Sequence, residues 1–445
     1  MELTFNRGTI VVKGDVRVPN STWDERSRTF RAMALHYRDI IDYLKNSGIS
    51  YTDNVLDLLP CPELKSCIIS RDYQKMALDA WVISGKRGVM VLPTGSGKTI
   101  IGIEAISLLN TPTLVVVPTL SLVDQWRSRL KKEFGTDVGI LGGGEQDIKA
   151  LTVSTYNSAY IHADRLGNRF CLIIFDEVHH LAAEGYRHIA EMFASPFRMG
   201  LTATYEREDG LHTELNRLVG GKIFERKVKE LAGEHLSPFK LEKVIVELTE
   251  EEQKEYSLNQ GIFTDYLRKY GITIRTPLDF QNIVIRSGRD PNARKALLAR
   301  NKARDIALNS ISKIGSFREI LNRHADSRIF IFTEHNRLVH RISKEFLIPA
   351  ITYRTAGRER SEILDRFRSG IYRAVITSKV LDEGIDVPDA DIGIILSGTG
   401  SERAFIQRLG RILRKKEGKE AILYEIVSAE TSEVNTAKRR KKYLR

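Results

Sequence analysis

The chain has 445 residues, 42% of them hydrophobic and 28% charged. It is therefore too long for one compact core and too apolar for general disorder; at ~150 residues per domain it should form about three units. A formal charge of +12 points to an anionic partner and says nothing about fold. Its three cysteines, Cys61, Cys67 and Cys171, imply no disulfide framework and include no CxxC pair to hold zinc or an iron–sulfur cluster, and they are too few for a four-cysteine cluster.

The N-terminus, MELTFNRGTIVVKGDV, lacks the charged flank and apolar stretch of a signal peptide. No apolar run approaches the ~18–20 residues of a membrane span, so no membrane partner is expected and a reducing cytoplasm is the expected location. Residues 1–65 read as a small mixed α/β domain. Alternation at Thr9–Val12 and Val16–Val18 predicts strands. Phe30, Met33, Ala34, Tyr37 and Ile41 predict a helix over 29–44, stopped by Asn46, Ser47 and Gly48. The nine basic and nine acidic residues of this segment cancel, so charge gives no support for nucleic-acid binding there.

From Cys67 the pattern changes to buried-type strands alternating with amphipathic helices: Val89–Leu92, Thr113–Val117, Leu151–Ser154 and Leu172–Phe175. A second series runs Leu241–Leu248, Arg328–Phe332, Ala374–Thr377, Ile392–Leu396 and Ala421–Ile426. Strands bounded by Gly or Pro and separated by helices predict an α/β fold with two parallel-sheet lobes, at 66–235 and 236–445. A stretch at about 249–313 lacks strand punctuation and reads as a helical insertion. Within it, residues 266–313 hold 11 Lys or Arg against Asp279, Asp290 and Asp305, a net of +8.

The strongest motif is Pro93-Thr94-Gly95-Ser96-Gly97-Lys98-Thr99, between a predicted strand and the helix Ile100–Leu109. A glycine-rich turn aims backbone N–H groups at phosphate oxygens, and the helix N-terminus adds partial positive charge. Lys98 would neutralise the β- and γ-phosphates and Thr99 would ligate Mg²⁺. Leu92 stands where the general pattern has glycine. Downstream, Leu172-Ile173-Ile174-Phe175-Asp176-Glu177-Val178-His179-His180 carries two carboxylates off a strand end. Asp176 would hold Mg²⁺ through water, and Glu177 would orient and deprotonate the attacking water. Adjacent His179 and His180 diverge, and with no third ligand nearby they read as structural or coupling residues. Ahead of the P-loop, Ile69-Ser70-Arg71-Asp72-Tyr73-Gln74 supplies Arg71 and Gln74 as candidate nucleotide contacts. A Gln amide offers the donor and acceptor that match adenine N6 and N7, so ATP is expected over GTP; a solvated helix-start amide is the plainer reading of Gln74.

In the second lobe, Gln407-Arg408-Leu409-Gly410-Arg411-Ile412-Leu413-Arg414 places Arg411 and Arg414 three apart on one helix face. Arginines reaching across a cleft neutralise charge on a transferred phosphoryl group, and hydrolysis then requires lobe closure. A solvated basic helix would look the same.

PTGSGKT, DEVHH, Leu201-Thr202-Ala203-Thr204, Val380-Leu381-Asp382-Glu383-Gly384-Ile385-Asp386-Val387-Pro388 and QRLGRILR fall in the order and spacing of superfamily 2 helicases. More narrowly, Arg207-Glu208-Asp209 resembles the RED motif of the XPB family, in its archaeal form, and the basic insertion resembles that family's thumb. With Val117-Pro118-Thr119, Val153-Ser154-Thr155 and Phe332-Thr333-Glu334-His335, the likeness covers almost the whole chain. Residues 1–65 resemble the family's damage-recognition domain. The resemblance implies two RecA-like lobes with a helical thumb, and ATP and Mg²⁺ as cofactors. It gives Thr202 and Thr204 a relay role between lobes and places Asp386 near the ribose or lobe interface. Gln407, Arg411 and Arg414 become catalytic candidates beside Glu177. Thr119, Thr155 and Thr377 would touch phosphates of the tracked strand. Arg207, Glu208 and Asp209 would act with the thumb in opening the duplex, or form merely an exposed charged loop. Arg294, Lys295, Arg300 and Lys302 are the thumb's candidate DNA contacts, or a solvated face.

The implied activity is 3′-to-5′ translocation on duplex or single-stranded DNA in nucleotide excision repair or transcription, with a structure-specific nuclease as partner. The chain lacks the long terminal extensions of eukaryotic members, which puts transcription-factor assembly in doubt. Seven Gln and three Cys in all are consistent with a thermophilic archaeal source. An RNA helicase fits the same motifs, because backbone contacts carry little sequence information. A non-motor ATP-gated DNA clamp would not need Glu177 or Arg411. A nuclease would need clustered carboxylates outside the ATP site, and none is present in the sequence.

Overall fold

The computed structural model describes residues 1–14, 16–207, 209–231, 239–378, 390–397 and 421–442. The chain divides into two compact units, the main division falling after Leu231.

The first unit opens with a five-stranded sheet in the order β3-β4-β2-β1-β5. Its strands are β1 (Glu2–Asn6), β2 (Thr9–Lys13), β3 (Ser21–Asp24), β4 (Thr29–Met33) and β5 (Thr52–Asn54), covered by helix α1 (Tyr37–Asn46). The helix expected from residue 29 therefore starts eight residues late, and Val16–Val18 is not a strand. Thr29–Met33 pair antiparallel with both β2 and β3, and Phe30 packs edge-on against Trp23 with ring centroids 5.1 Å apart. Cross-strand pairing of a Thr-Phe segment outweighs the helical spacing of its apolar residues.

This small sheet docks on the body that follows. Ala194 enters its core, and the Arg38 guanidinium donates to the Gly85 carbonyl. Asn168 Nδ2 donates to Val55 O at 3.0 Å, and Arg169 pairs with Asp57. Gly85, Asn168 and Arg169 all precede strands, so the contact lies at the N-terminal edge of the next sheet.

That sheet has eight strands, ordered β13-β6-β12-β11-β7-β10-β8-β9. They are β6 (Arg87–Val91), β7 (Thr113–Val117), β8 (Gly139–Gly142), β9 (Glu145–Gln146), β10 (Leu151–Thr155), β11 (Leu172–Asp176), β12 (Phe197–Thr202) and β13 (Lys222–Glu225). Every pair except β8–β9 is parallel. Helices α2 (Asp72–Ile83), α3 (Lys98–Leu109) and α4 (Leu120–Phe134) follow the same alternation. The buried apolar runs of β7 and β11 fit a sheet covered on both faces. Strand β12 escaped sequence reading because Arg198 and Gly200 interrupt its apolar run. Arg198 is nonetheless fully buried, its guanidinium donating to the carbonyls of Ser195 (3.2 Å), Ala190 (2.8 Å), Leu218 (2.9 Å) and Phe193 (2.5 Å).

The second unit carries a six-stranded, all-parallel sheet in the order β14-β19-β18-β15-β17-β16. The strands are β14 (Phe239–Val246), β15 (Ile329–Phe332), β16 (Ala350–Ile351), β17 (Ala374–Thr377), β18 (Ile392–Ile395) and β19 (Ala421–Ser428). Between β14 and β15 come the helices Glu250–Lys269, Pro277–Ser287, Pro291–Leu308 and Ile311–Arg323. Capping boxes at Thr249/Glu252 and Thr276/Asp279, and an Asp290 cap before Pro291, start three of them. Phe263, Tyr266, Ile283, Ala293 and Ala296 give the insertion its own small core. Arg304 grips Glu334 with two bonds of 3.0 and 2.9 Å, and Ser428 Oγ donates to Ala307 O at 2.7 Å. Both contacts fix the third helix to the sheet.

Helix Ile311–Arg323 is tied to the C-terminal helix Ser432–Lys442 by a buried ion pair. Lys313 Nζ lies 2.8 and 2.7 Å from the Glu433 carboxylate and 2.8 Å from Leu396 O, and both side chains are 1% exposed. Removing one partner strands the other charge away from water, whereas an apolar pair of similar volume need not destabilise. Lys313→Met should cost about 3–5 kcal/mol of unfolding free energy in denaturant titration, and Lys313→Met/Glu433→Leu should recover much of it.

Candidate active site

Two register facts build the site. Thr202 at the end of β12 stands opposite Val91 of β6, and Leu201 stands opposite Asp176 of β11. The P-loop, the Thr202 turn and the Asp176–Glu177 pair therefore leave one sheet edge side by side, where parallel sheets bind nucleotides.

Gly95 and Gly97 adopt φ of 85° and 82°, in the left-handed region. A Cβ on Gly97 would stand 2.7 Å from Gln74 Nε2, so that position has neither the backbone nor the space for a side chain. Ser96 Oγ donates to Pro93 O at 2.7 Å, and Lys98 Nζ to Leu92 O and Pro93 O at 3.1 and 3.4 Å. The Ser96 carbonyl is held from below by the Tyr73 hydroxyl and by Gln74 Nε2 at 3.0 Å. Gln74 Oε1 accepts the Arg71 N–H at 2.9 Å, closing a capping box on α2. Gln74 is thus 1% exposed and braces the loop; the second lone pair of Oε1 is what it retains for a base. Thr94 Oγ1 is buried in the loop with no hydrogen-bond partner, and Thr99 sits in the first turn of α3.

Asp176 is clamped by two donors. Trp126 Nε1 donates to Oδ2 at 2.8 Å, and the Glu177 N–H to Oδ1 at 2.9 Å. The Tyr156 hydroxyl, fully buried and with its pKa pushed well above 10 by burial, donates to Asp176 O at 3.1 Å. Glu177 itself is left-handed, φ 49° and ψ 53°, a strained backbone for a residue with a Cβ. Its Oε2 lies 3.5 Å from His179 Nδ1.

From His179 a polar relay leads away from the site. His179, 1% exposed, has Nδ1 3.1 Å from Thr202 Oγ1, which donates to Thr204 O at 2.8 Å. His179 O accepts from Arg207 at 2.6 Å. The rest of the Arg207 guanidinium forks onto both Asp209 oxygens at 3.0 and 2.6 Å. Sequence reasoning singled out neither Tyr73, Trp126 nor Tyr156: Tyr73 lies beside Gln74 in the string ahead of the P-loop but has no base-recognition chemistry, and Trp126 and Tyr156 reach the Asp176 turn from helices distant in sequence.

The candidate nucleic-acid contacts divide. Thr119 and Thr155 cap helices, accepting N–H bonds from Leu122 at 3.4 Å and Ser158 at 3.2 Å. Thr377 is fully buried and donates to Ser378 O at 2.9 Å. On the insertion, Arg294 and Lys295 are exposed, with no carboxylate partner among the described residues. Arg300 instead stacks 4.1 Å over Phe280 and 5.8 Å over Phe263, and Lys302 pairs with Glu255 at 2.5 Å. Glu208, Asp386, Gln407, Arg411 and Arg414 lie outside the described residues.

The Arg207 fork holds the Asp209 carboxyl at about 2, down from an ordinary 3.8. A depressed carboxylate contributes above its unperturbed value, so the fork is intact at neutral pH and is lost as pH falls from about 4 toward 2. Arg207→Ala should return the Asp209 titration toward 3.8, read by carboxyl-carbon NMR on Asp-labelled protein.

Three family models match in tandem: the xeroderma pigmentosum group B helicase damage recognition domain at 3–55, the type III restriction enzyme res subunit at 68–207, and the ERCC3/RAD25/XPB C-terminal helicase at 307–445. The chain is 45% identical over 439 residues to DNA 3′-5′ translocase XPB2 of Sulfurisphaera tokodaii, covering 99% of each. It is 29% identical to DNA 3′-5′ helicase XPB of Mycobacterium tuberculosis, over 84% of this chain and 63% of that one. To the XPB helicase/translocase subunit of general transcription and DNA repair factor IIH of Schizosaccharomyces pombe it is 27% identical, spanning 47% of that protein. The Pyrococcus furiosus Hef helicase domain shares the fold, with a TM-score of 0.54 at 20% identity over 84% of this chain and 98% of that one. The chain belongs to the XPB family of superfamily 2 helicases.

Proposed function

We propose that this protein is an ATP-driven motor that moves 3′-to-5′ along DNA and opens or tracks the duplex during excision repair or transcription. The observation that carries the reading is the shared sheet edge: P-loop, paired carboxylates and Thr202 emerge together in a chain 45% identical to a named DNA translocase. The residues suit Mg²⁺ and a nucleoside triphosphate. Gly95 and Gly97 give the loop its left-handed turn and Thr94 Oγ1 is left buried and unpartnered, as a cradle for phosphate oxygens would require. Thr99 and Asp176 supply the hard oxygen donors that Mg²⁺ prefers. When bound, the ion neutralises charge on the phosphates.

Lys98 holds the β- and γ-phosphates. Glu177 orients the attacking water and takes its proton on a carboxylate oxygen. His179 reads Glu177 through its ring and passes that state to Thr202 and to the Arg207 loop. In this reading Gln407, Arg411 and Arg414 are the candidates to act on the phosphates, and Asp386 is the candidate for the ribose or the lobe interface; all four lie outside the described residues. Residues 1–65 form the damage-recognition domain, 66–235 the first lobe and 236–445 the second, and a structure-specific nuclease acts on what the motor exposes. Lys98→Ala or Glu177→Gln should abolish DNA-stimulated ATP hydrolysis while the circular dichroism spectrum and melting temperature stay at wild-type values. Hydrolysis undiminished in both variants would end the reading.

The insertion's DNA contacts fall to Arg294 and Lys295, since Arg300 and Lys302 are engaged within the protein. Each phosphate contact contributes about 0.9 to the slope of log affinity against log salt. Arg294→Ala/Lys295→Ala should therefore flatten that slope by up to about 1.8, and Arg300→Ala/Lys302→Ala should flatten it far less, measured by fluorescence anisotropy from low to high salt.

A further inference from the structure

Trp126 stands on α4, 50 residues before the carboxylate it binds. It is 1% exposed, and its ring packs so closely over α3 that a Cβ on Gly102 would lie 2.7 Å from the six-membered ring. A buried indole needs an acceptor for its N–H. The other fully buried tryptophan of this lobe, Trp81, finds an ordinary one, the Arg198 carbonyl at 2.9 Å. Trp126 instead donates to Asp176 Oδ2, and the Glu177 N–H takes Oδ1. The two donors approach different oxygens of one carboxylate, which fixes its plane and leaves each oxygen a further lone pair. An N–H bond to an ionised oxygen is stronger than one to a neutral carbonyl, so the indole constrains the carboxylate more firmly than a carbonyl would constrain the indole.

We propose that Trp126 is a positioning residue for the magnesium site: its indole N–H sets the orientation in which Asp176 receives the metal's water shell. The inference rests on the ATPase reading above and deepens it. Partners in the outer shell of a metal site that hold a ligand carboxylate are typically worth 10–100-fold in metal affinity. Three features of this corner (small Gly102, flat indole, fixed carboxylate) work together, since a side chain at 102 would displace the ring.

The test is Trp126→Phe in the full chain, which keeps an aromatic ring and deletes the donor. Mn²⁺ binding is followed by electron paramagnetic resonance in saturating ATPγS, and ATPγS binding in EDTA by calorimetry. The expected result is an Mn²⁺ dissociation constant raised about tenfold, with metal-free ATPγS affinity within twofold of wild type. Wild-type Mn²⁺ affinity in the variant overturns the inference, as does an equal loss of metal-free ATPγS affinity, which marks a packing role. Absence of nucleotide-linked Mn²⁺ binding in the wild type would overturn the ATPase reading itself. Should Trp126→Phe fail to fold, benzothienylalanine at 126, of matching shape without the N–H, gives the same readout.

Discussion

The parallel register of β6, β12 and β11 is the constraint on which the chemistry depends. Parallel strands joined by crossovers deliver all their carboxyl ends to one edge, so three sequence segments more than 70 residues apart in places become neighbours. Val91, Thr202 and Asp176 end their strands at nearly the same level, and each is followed at once by a turn that carries the working group. A shift of one residue in β12 would carry Thr202 away from His179 and separate the P-loop from the carboxylates. The small N-terminal sheet docks at the opposite edge, through Gly85, Asn168 and Arg169, and so braces the same strands without crowding their chemical ends.

Much of this was legible in the sequence where one physical rule dominates. Strands β7 and β11 are continuous apolar runs buried on both faces, and their predicted limits match within a residue. The P-loop and the Asp176–Glu177 pair are contiguous, so their chemistry can be read without knowing the fold. The failures share a cause. Strand β12 hides because Arg198 looks like a surface residue until four carbonyls are found around it, and residues 29–33 look helical until β2 and β3 lie on either side. Tyr73, Trp126 and Tyr156 act on the site through contacts to residues 20 or more positions away, which leave no periodicity behind.

Charge was the least transferable sequence signal. Residues 266–313 carry a net of +8, but local partners occupy much of it. Arg286 pairs with Asp290 at 3.1 Å and lies 4.5 Å over Tyr270; Arg304 is held by Glu334; Arg300 lies over Phe280. Arginine's flat guanidinium suits such stacking, so an arginine-rich helix amid aromatics builds its own core as readily as it meets phosphate. Position relative to the core decides which arginines are left for a ligand.

Several polar side chains at this sheet edge have a structural duty besides their expected chemistry. Gln74 caps α2 and braces the P-loop; Asp176 satisfies a buried indole and is the expected metal ligand; Thr202 shapes its own turn and receives His179. Glu177 is held left-handed, at a cost of about 1–3 kcal/mol, by neighbours that include the Asp176 carboxylate on its N–H and the Tyr156 hydroxyl beneath. A strained residue between the Asp176 carboxylate and a buried histidine can relax only if its neighbours move with it. Because His179 O also anchors Arg207, such a movement extends to the Arg207–Asp209 loop. If the P-loop holds phosphate as proposed, strain at this one backbone position supplies a physical route by which that site's state would reach a loop outside it, using contacts that are individually ordinary.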